Sequence, residues 1–268
     1  MIHSVVVEDL DQLVFNTLFT SFDDNYFRAA AVSLKSIAKN YNGTTALDYY
    51  CFVPLDLMSR EQEFINLINE PAKLNIKFVN AAGFNELITH VSIDPAKWYS
   101  TSAMHRLFAS SLLSSDTAIY IDPDTIATRD IAPLLSLPLM GKMMAFPEMD
   151  RSIQAIFPGQ EGRAYFNDGV FITDLTYWRE NDLENKMVDY VKNNPTPEYP
   201  DQDLLNIFFT DVLYPLHPIF NGLYYLTEYT NFAPPIILHF IGPVKPWNSP
   251  NVNTYFDMWH EIDKTLTA

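Results

Sequence analysis

The chain has 268 residues, 48% of them apolar and 19% charged, and a formal net charge of −16 at pH 7. That length supports a full buried core, and the composition excludes a disordered chain. The acidity argues against non-specific nucleic-acid binding and against general attraction to anionic lipid. Cys51 is the single cysteine, so no intrachain disulfide can form, which fits a reducing compartment. No apolar run reaches the roughly 18 residues of a membrane-spanning helix. The opening "MIHSVVVEDLDQ" lacks the basic start and apolar core of a signal peptide. A soluble, cytoplasmic protein is the expectation, with residues 1–268 forming a single domain.

Short apolar runs alternate with amphipathic ones along the first half. "LVFNTLFTSF" reads as a strand, and "NYFRAAAVSLKSIAKNY" as a helix with Ala30, Leu34, Ile37 and Ala38 on one face. "ALDYYCFVPL" is a second strand. "MSREQEFINLINE" is a helix with Ser59 as its candidate N-cap. "NIKFVN" is a third strand, "TSAMHRLFASSLL" a helix and "TAIYI" a fourth strand. This alternation implies parallel pairing in an α/β sandwich, with ligands at the carboxyl ends of the strands. Beyond residue 165, "GVFITDL" reads as a strand and "TYWRENDLENKMVDYVKNN" as a helix broken near Asn181. "DQDLLNIFFT" reads as a short helix, and "PIILHFIG" as a strand ending in the loop "PVKPWNSPN". Prolines after residue 195 mark surface loops.

The strand "TAIYI" runs into Asp122-Pro123-Asp124. Residues i and i+2 of a strand share a face, so both carboxylates can aim at one place. Pro123 biases Asp122 toward an extended conformation and suits a strand's end. Two readings stand: a divalent-metal site that relieves the mutual repulsion of the carboxylates, or an ordinary turn with Asp124 capping local backbone. His239 in isolation reads as a structural histidine, Lys245 as a surface charge, and Asp23-Asp24 as a helix cap.

Taken in order, "SFDDNY", "YIDPDT", "FNDGVFITDLTYW", "DQDLLN" and "HFIGPVKPW" resemble glycosyltransferase family 8, the retaining transferases that include glycogenin and bacterial lipopolysaccharide galactosyl- and glucosyltransferases. The resemblance runs from about Leu13 to Trp247. It implies a GT-A fold (a mixed, mainly parallel sheet flanked by helices), a UDP-sugar donor and Mn(2+), with Mg(2+) as the alternative. By the same resemblance Asp122, Asp124 and His239 hold the metal. Gly242 and Lys245 meet the donor diphosphate, and Ser21, Asp23, Asn25 and Tyr26 hold uracil and ribose. Arg106 faces the donor, and Asn167, Asp201 and Gln202 line the donor-sugar pocket. Glu148 is a looser match.

The chemistry is consistent with that assignment. Two carboxylates and an imidazole suit Mn(2+) better than Mg(2+). A glycine beside a lysine allows close approach to phosphate. Asp168 departs from the family pattern, which has serine or alanine there. Retention by double displacement would need a nucleophile, with Gln202 and Asp168 as the positional candidates; a same-face attack needs none and is favoured. The expected acceptor is a hydroxyl of a glycan, glycolipid or protein. The carboxyl-terminal stretch "TYFDMWHEIDKTLTA" has no basic cluster, so any contact with the inner membrane would be peripheral and through a partner. No nucleic-acid partner and no integral membrane segment are expected, and homo-oligomer formation is left open. The alternatives are a glycogenin-like self-glucosylating protein and a non-catalytic nucleotide-sugar binder.

Overall fold

The computed structural model describes residues 15–84, 89, 91, 101–152, 164–195, 197–224, 235–249 and 253–267. The opening segment 1–12 lies outside them. The first half matches the alternation read above: β1 (Thr17–Ser21), α1 (Phe27–Asn40), β2 (Leu47–Val53), α2 (Glu61–Ile68) and β3 (Leu74–Asn80). A 3-10 segment over Thr101–Phe108 then runs into α3 (Ala109–Leu112), β4 (Thr117–Ile121) and β5 (Thr125–Ala127). Next come α4 (Ala132–Leu135), β6 (Met143–Ser152), β7 (Ala164–Asp174), α5 (Leu175–Glu180), α6 (Leu183–Asn193) and α7 (Pro200–Phe209). The chain continues through β8 (Leu213–Pro215), β9 (Gly222–Leu223), β10 (Ile237–His239) and α8 (Thr254–Asp263).

Among the described residues the main sheet has seven strands in the order β3-β2-β1-β4-β7-β6-β8. Pairing is parallel from β3 through β4 and between β6 and β8, while β7 runs antiparallel to both β4 and β6. A second sheet, β5-β10-β9, joins the chain after β4 to the segment carrying His239. Central β1 is buried along its whole length, as a strand covered on both faces must be. Edge strand β3 alternates buried Leu74, Ile76 and Phe78 with exposed Asn75 and Lys77, so one of its faces meets water.

One apolar layer packs α1 and α2 onto the sheet through Leu34, Ile37, Phe64 and Ile68. The opposite layer uses Leu107, Phe108, Trp178, Leu204 and Phe209 from the 101–112 segment, α5 and α7. Each such side chain contributes roughly 1.5–3 kcal/mol by leaving water. Helices on both faces leave the strand ends as the open rim.

Three local readings change. Ser59 is not the cap of α2: it sits in a 3-10 turn over Leu55–Arg60, and the residue before α2 is Arg60, with no capping side chain. Segment 101–113 is mostly 3-10 rather than α-helical. The strand read as "GVFITDL" begins five residues earlier, at Ala164. Asp168 therefore lies inside β7 rather than just before it. The glycine looked like a strand start because it interrupts the apolar pattern, but residues 164–167 on its amino-terminal side also pair with β6. The expected helix break is present, with Asp182 in the left-handed region at φ 52°.

Candidate active site

Strand β4 ends at Ile121 and delivers Asp122 to the rim. The Asp122-Pro123-Asp124 segment is a turn, closed by Thr125 Oγ1 donating to Asp122 O at 2.8 Å. It also presents both carboxylates to one histidine. Thr125 pairs with His239 across the β5–β10 ladder, and Phe240 N donates to Asp124 O at 2.9 Å. That pairing sets His239 Nε2 at 3.6 Å from Asp122 Oδ2 and 3.3 Å from Asp124 Oδ1. One ligand atom from each of Asp122, Asp124 and His239 falls within 4.8 Å of the others.

The orientation of the imidazole is fixed from behind. Asn221 Nδ2 donates to Asn167 Oδ1 at 2.8 Å, so Asn221 Oδ1 is left to accept from His239 Nδ1 at 2.9 Å. With its proton on Nδ1, the ring turns the Nε2 lone pair toward the two carboxylates, the arrangement a metal ligand needs. The chain of bonds goes on. Asn167 Nδ2 donates to Gln202 Oε1 at 3.1 Å, Gln202 Nε2 to Tyr165 OH at 2.8 Å, and Tyr165 OH to Asp203 Oδ1 at 2.5 Å. Gly169 lies against this ring: a Cβ there would overlap His239 Cε1 and Nδ1.

The bend that makes this possible is in the ladder. Met143–Ala145 of β6 pair with Thr173–Phe171 of β7, but the next residue, Phe146, pairs with Asn167. Residues 168–170 bulge out of the β6 pairing, opposite the site, where bulges commonly re-aim side chains. On the other edge Asp122 N still donates to Gly169 O at 2.8 Å, holding β7 to the aspartate turn.

Charge is concentrated here. Arg106 Nη2 meets Asp122 Oδ1 at 2.8 Å and Asp201 Oδ2 at 3.4 Å, and its Nη1 meets Asp168 Oδ2 at 2.9 Å. Lys245 Nζ is buried against Asp124 Oδ2 and donates to Phe240 O at 2.7 Å. Four carboxylates against these two cations leave a local charge of −2, which a divalent cation would neutralise. Burial is the largest influence on both metal-facing carboxyls. At Asp122 burial and the neighbouring Asp124 outweigh Arg106 and push the carboxyl up. At Asp124 Lys245, together with His239 when its Nε2 also carries a proton, outweighs burial and holds the carboxyl well below the usual range. Asp124 is thus an anion at neutral pH, and Asp122 is the member a bound cation would relieve.

Of the remaining expected residues, Ser21 and Tyr26 reach the same rim. Ser21, at the end of β1, donates to Tyr120 OH at 3.2 Å, and Tyr120 OH donates to Asp122 Oδ1 at 2.6 Å. Asp23 caps the next turn by accepting from Asn25 N at 3.0 Å, so the capping reading of Asp23 holds. Burial, with Asp124 and Asp122 nearby, pushes the Tyr26 hydroxyl well above its ordinary range. Tyr26 packs edge-on to Trp247, which packs on Trp259 of α8 and so ties the Lys245 loop to the carboxyl-terminal helix. Gly242 has φ +89°, a conformation that favours glycine. Asp201 and Gln202 open α7.

Sequence reading missed Tyr120, Asn221 and Asp203. Tyr120 lies within the strand run "TAIYI", and Asn221 precedes Gly222. Their only signal is a polar group within an otherwise apolar or turn-like segment, and it acquires meaning from partners far along the chain.

The model of Glycosyl transferase family 8 matches residues 17–250. A Lipopolysaccharide 1,2-glucosyltransferase of Escherichia coli (strain K12) is 26% identical over 257 residues, covering 87% of this chain and 74% of that protein. A Probable glycosyl transferase Gly of Streptococcus gordonii is 26% identical over 202 residues, covering 73% of this chain. The chain spans 28% of the length of that protein and 39% of the Streptococcus pneumoniae glycosyltransferase GlyF. The crystal structure of the galactosyltransferase LgtC in complex with donor and acceptor sugar analogues superposes with a TM-score of 0.77 at 20% identity, covering 94% of this chain and 96% of that one. At that identity the likeness speaks for the GT-A fold alone, but the family match spans most of the chain: it belongs to glycosyl transferase family 8.

Proposed function

We propose that the chain transfers a hexosyl group, glucose or galactose, from a UDP-sugar to an acceptor hydroxyl with retention at the anomeric carbon, using Mn(2+) held by Asp122, Asp124 and His239. The observation that carries this reading is the convergence of the three side chains within 4.8 Å, with the Nε2 lone pair directed at both carboxylates by Asn221. The donor set fits the ion: two carboxylates, one imidazole, a fixed tautomer and a net negative surround. When bound, the cation supplies Lewis-acid stabilisation of the leaving nucleoside diphosphate.

The chain's own residues do the rest. Lys245 and Gly242 flank the place where the diphosphate would lie, and Tyr26, Asn25, Asp23 and Ser21 border the nucleoside side. Asn167, Asp168, Asp201 and Gln202 form the sugar end. Gln202 Oε1 already accepts from Asn167 Nδ2 and from Asp168 N at 3.3 Å, and Asp168 is paired with Arg106. Neither is poised as a nucleophile, which supports same-face attack. The Escherichia coli relative's name favours glucose and a glycan or glycolipid acceptor in lipopolysaccharide-type synthesis. No helix among the described residues is long and apolar enough to cross a membrane, so such an acceptor would be met at a surface.

The test is a panel of nucleotide sugars, measured for Mn(2+)-dependent binding and turnover in wild type, Asp122→Asn and Asp124→Asn. UDP-hexose binding that needs Mn(2+) and is lost in both variants is expected. Metal-independent binding, or full activity in both variants, would overturn the assignment.

A further inference from the structure

The guanidinium of Arg106 stands at the sugar end of the site, and its hydrogen bonds can be counted. Arginine has five N–H donors and no acceptor. Nε donates to Ala103 O at 3.0 Å. Nη1 donates to Asp168 Oδ2 at 2.9 Å and to Asp168 O at 3.4 Å. Nη2 donates to Asp122 Oδ1 at 2.8 Å and faces Asp201 Oδ2 at 3.4 Å. The group lies 4.3 Å from the centre of the Tyr120 ring and its side chain is 5% exposed. Four of the five N–H groups are hydrogen-bonded within the protein and the fifth faces the Asp201 carboxylate, so the arginine has no spare fork for a ligand.

Asp168 takes both directions of Nη1, one through its carboxylate and one through its carbonyl. A serine there would keep the carbonyl and lose the carboxylate. The consequence concerns which sugars can enter. A sugar carboxylate requires a cation or a forked pair of donors, whereas a sugar hydroxyl is satisfied by acceptors. Among the described residues, Arg106 and Lys245 are the cations that touch this aspartate cluster, and Lys245 is engaged at Asp124, on the metal side. The sugar end thus offers two carboxylates, Asp168 and Asp201, around a guanidinium that is already occupied.

We propose that Asp168 is a specificity-determining residue that restricts the donor to neutral sugars: it occupies the Nη1 edge of Arg106, which a sugar carboxylate would otherwise use, and places a like charge beside it. This deepens the reading of the site as one for a nucleotide-sugar donor and rests on that reading. A pocket that leaves a ligand's charge unpaired and faces it with another rejects that ligand strongly.

The experiment is calorimetric binding in Mn(2+) buffer of UDP, UDP-glucose, UDP-galactose, UDP-glucuronate and UDP-galacturonate to wild type, Asp168→Asn and Asp168→Ser. Asparagine preserves shape without charge, and serine also removes bulk. Ratios of neutral to uronate affinity are compared within each protein. Wild type should prefer its neutral sugar over the matching uronate at least tenfold, and that ratio should shrink at least tenfold in both variants. An unchanged ratio in both variants, or no preference in wild type, overturns the proposal. Loss of UDP binding in both variants also overturns it, since Asp168 would then hold the whole site together. A wild type that binds no UDP compound removes the underlying reading, and the proposal with it.

Discussion

Asn221 is fully buried and touches no expected ligand position itself, yet it holds the histidine that does. Asn221→Ala deletes the acceptor for His239 Nδ1 and the donor to Asn167 Oδ1, bonds of 2.9 and 2.8 Å. Asn167 Oδ1 keeps its second donor, Gly169 N at 3.0 Å, so the loss falls mainly on the histidine. His239 is 3% exposed, and water cannot readily replace the lost partner. A buried donor left unmade costs about 1–3 kcal/mol. The ring can recover some of that by moving its proton to Nε2, but that tautomer turns an N–H toward the carboxylates and destroys the ligand lone pair. Loss of a bond that orients a metal-binding histidine costs about 10–100-fold in metal affinity, or roughly 1.4–2.7 kcal/mol. Titrating Mn(2+) into the nucleotide-free protein by calorimetry measures this directly, with a thermal melt as the folding control. Asn221→Asp keeps an acceptor for Nδ1–H but opposes two oxygens at Asn167; it should retain more metal affinity than the alanine variant while melting lower. A folded Asn221→Ala protein whose Mn(2+) affinity stays within twofold of wild type would refute the reasoning.

Gly169→Ala drives a methyl group into the His239 ring, so Mn(2+) affinity should fall by about tenfold or more; the same calorimetry checks it, and an unaltered affinity would show that the ring has room to move. Lys245→Ala should weaken UDP by about 1.5–3 kcal/mol while leaving free uridine nearly untouched, as the lysine's proposed partner is phosphate; equal losses would place it elsewhere. His105 is buried, and that burial, outweighing the nearby Asp23, lowers its pKa to about 4. In the unfolded chain the imidazole takes up its proton at a higher pH, so the unfolded state binds more protons between about 6.5 and 4. Stability from this group is therefore complete above about pH 6.5 and declines toward pH 4, by at most roughly 3 kcal/mol. Denaturant melts across that window should show the decline in wild type and a flatter profile in His105→Phe; parallel profiles would remove the histidine as the cause.

Much of the frame was legible because it obeys local rules. β4 runs over Thr117–Ile121 as its apolar run suggested, and α1, β2 and β3 fall within a few residues of their periodic signals. Parallel pairing of β3, β2, β1 and β4 was implied by strands separated by helices. β6 escaped notice: "MMAFPEMDRS" carries a proline and charges that contradict a strand locally, and only pairing with β7 on one side and β8 on the other makes it one. α8 went unread, although Asn253 caps it by accepting from Tyr255 N and Phe256 N.

By itself the sequence determined the residue types that can do the chemistry and the order in which strand ends present them. Asp122 and Asp124 stand two residues apart at the end of an apolar run, though a turn rather than a strand's period aims them together, and Gly242 stands where its φ of +89° favours glycine. What those side chains touch was decided by tertiary structure. His239 reaches the aspartates through the β5–β10 ladder, Asn221 sets its tautomer from 18 residues away, and Asp168 meets Arg106 across 62 residues of chain. Such contacts leave no period in the sequence. They arise where a buried donor must find an acceptor, and which acceptor is near depends on how the sheets pack.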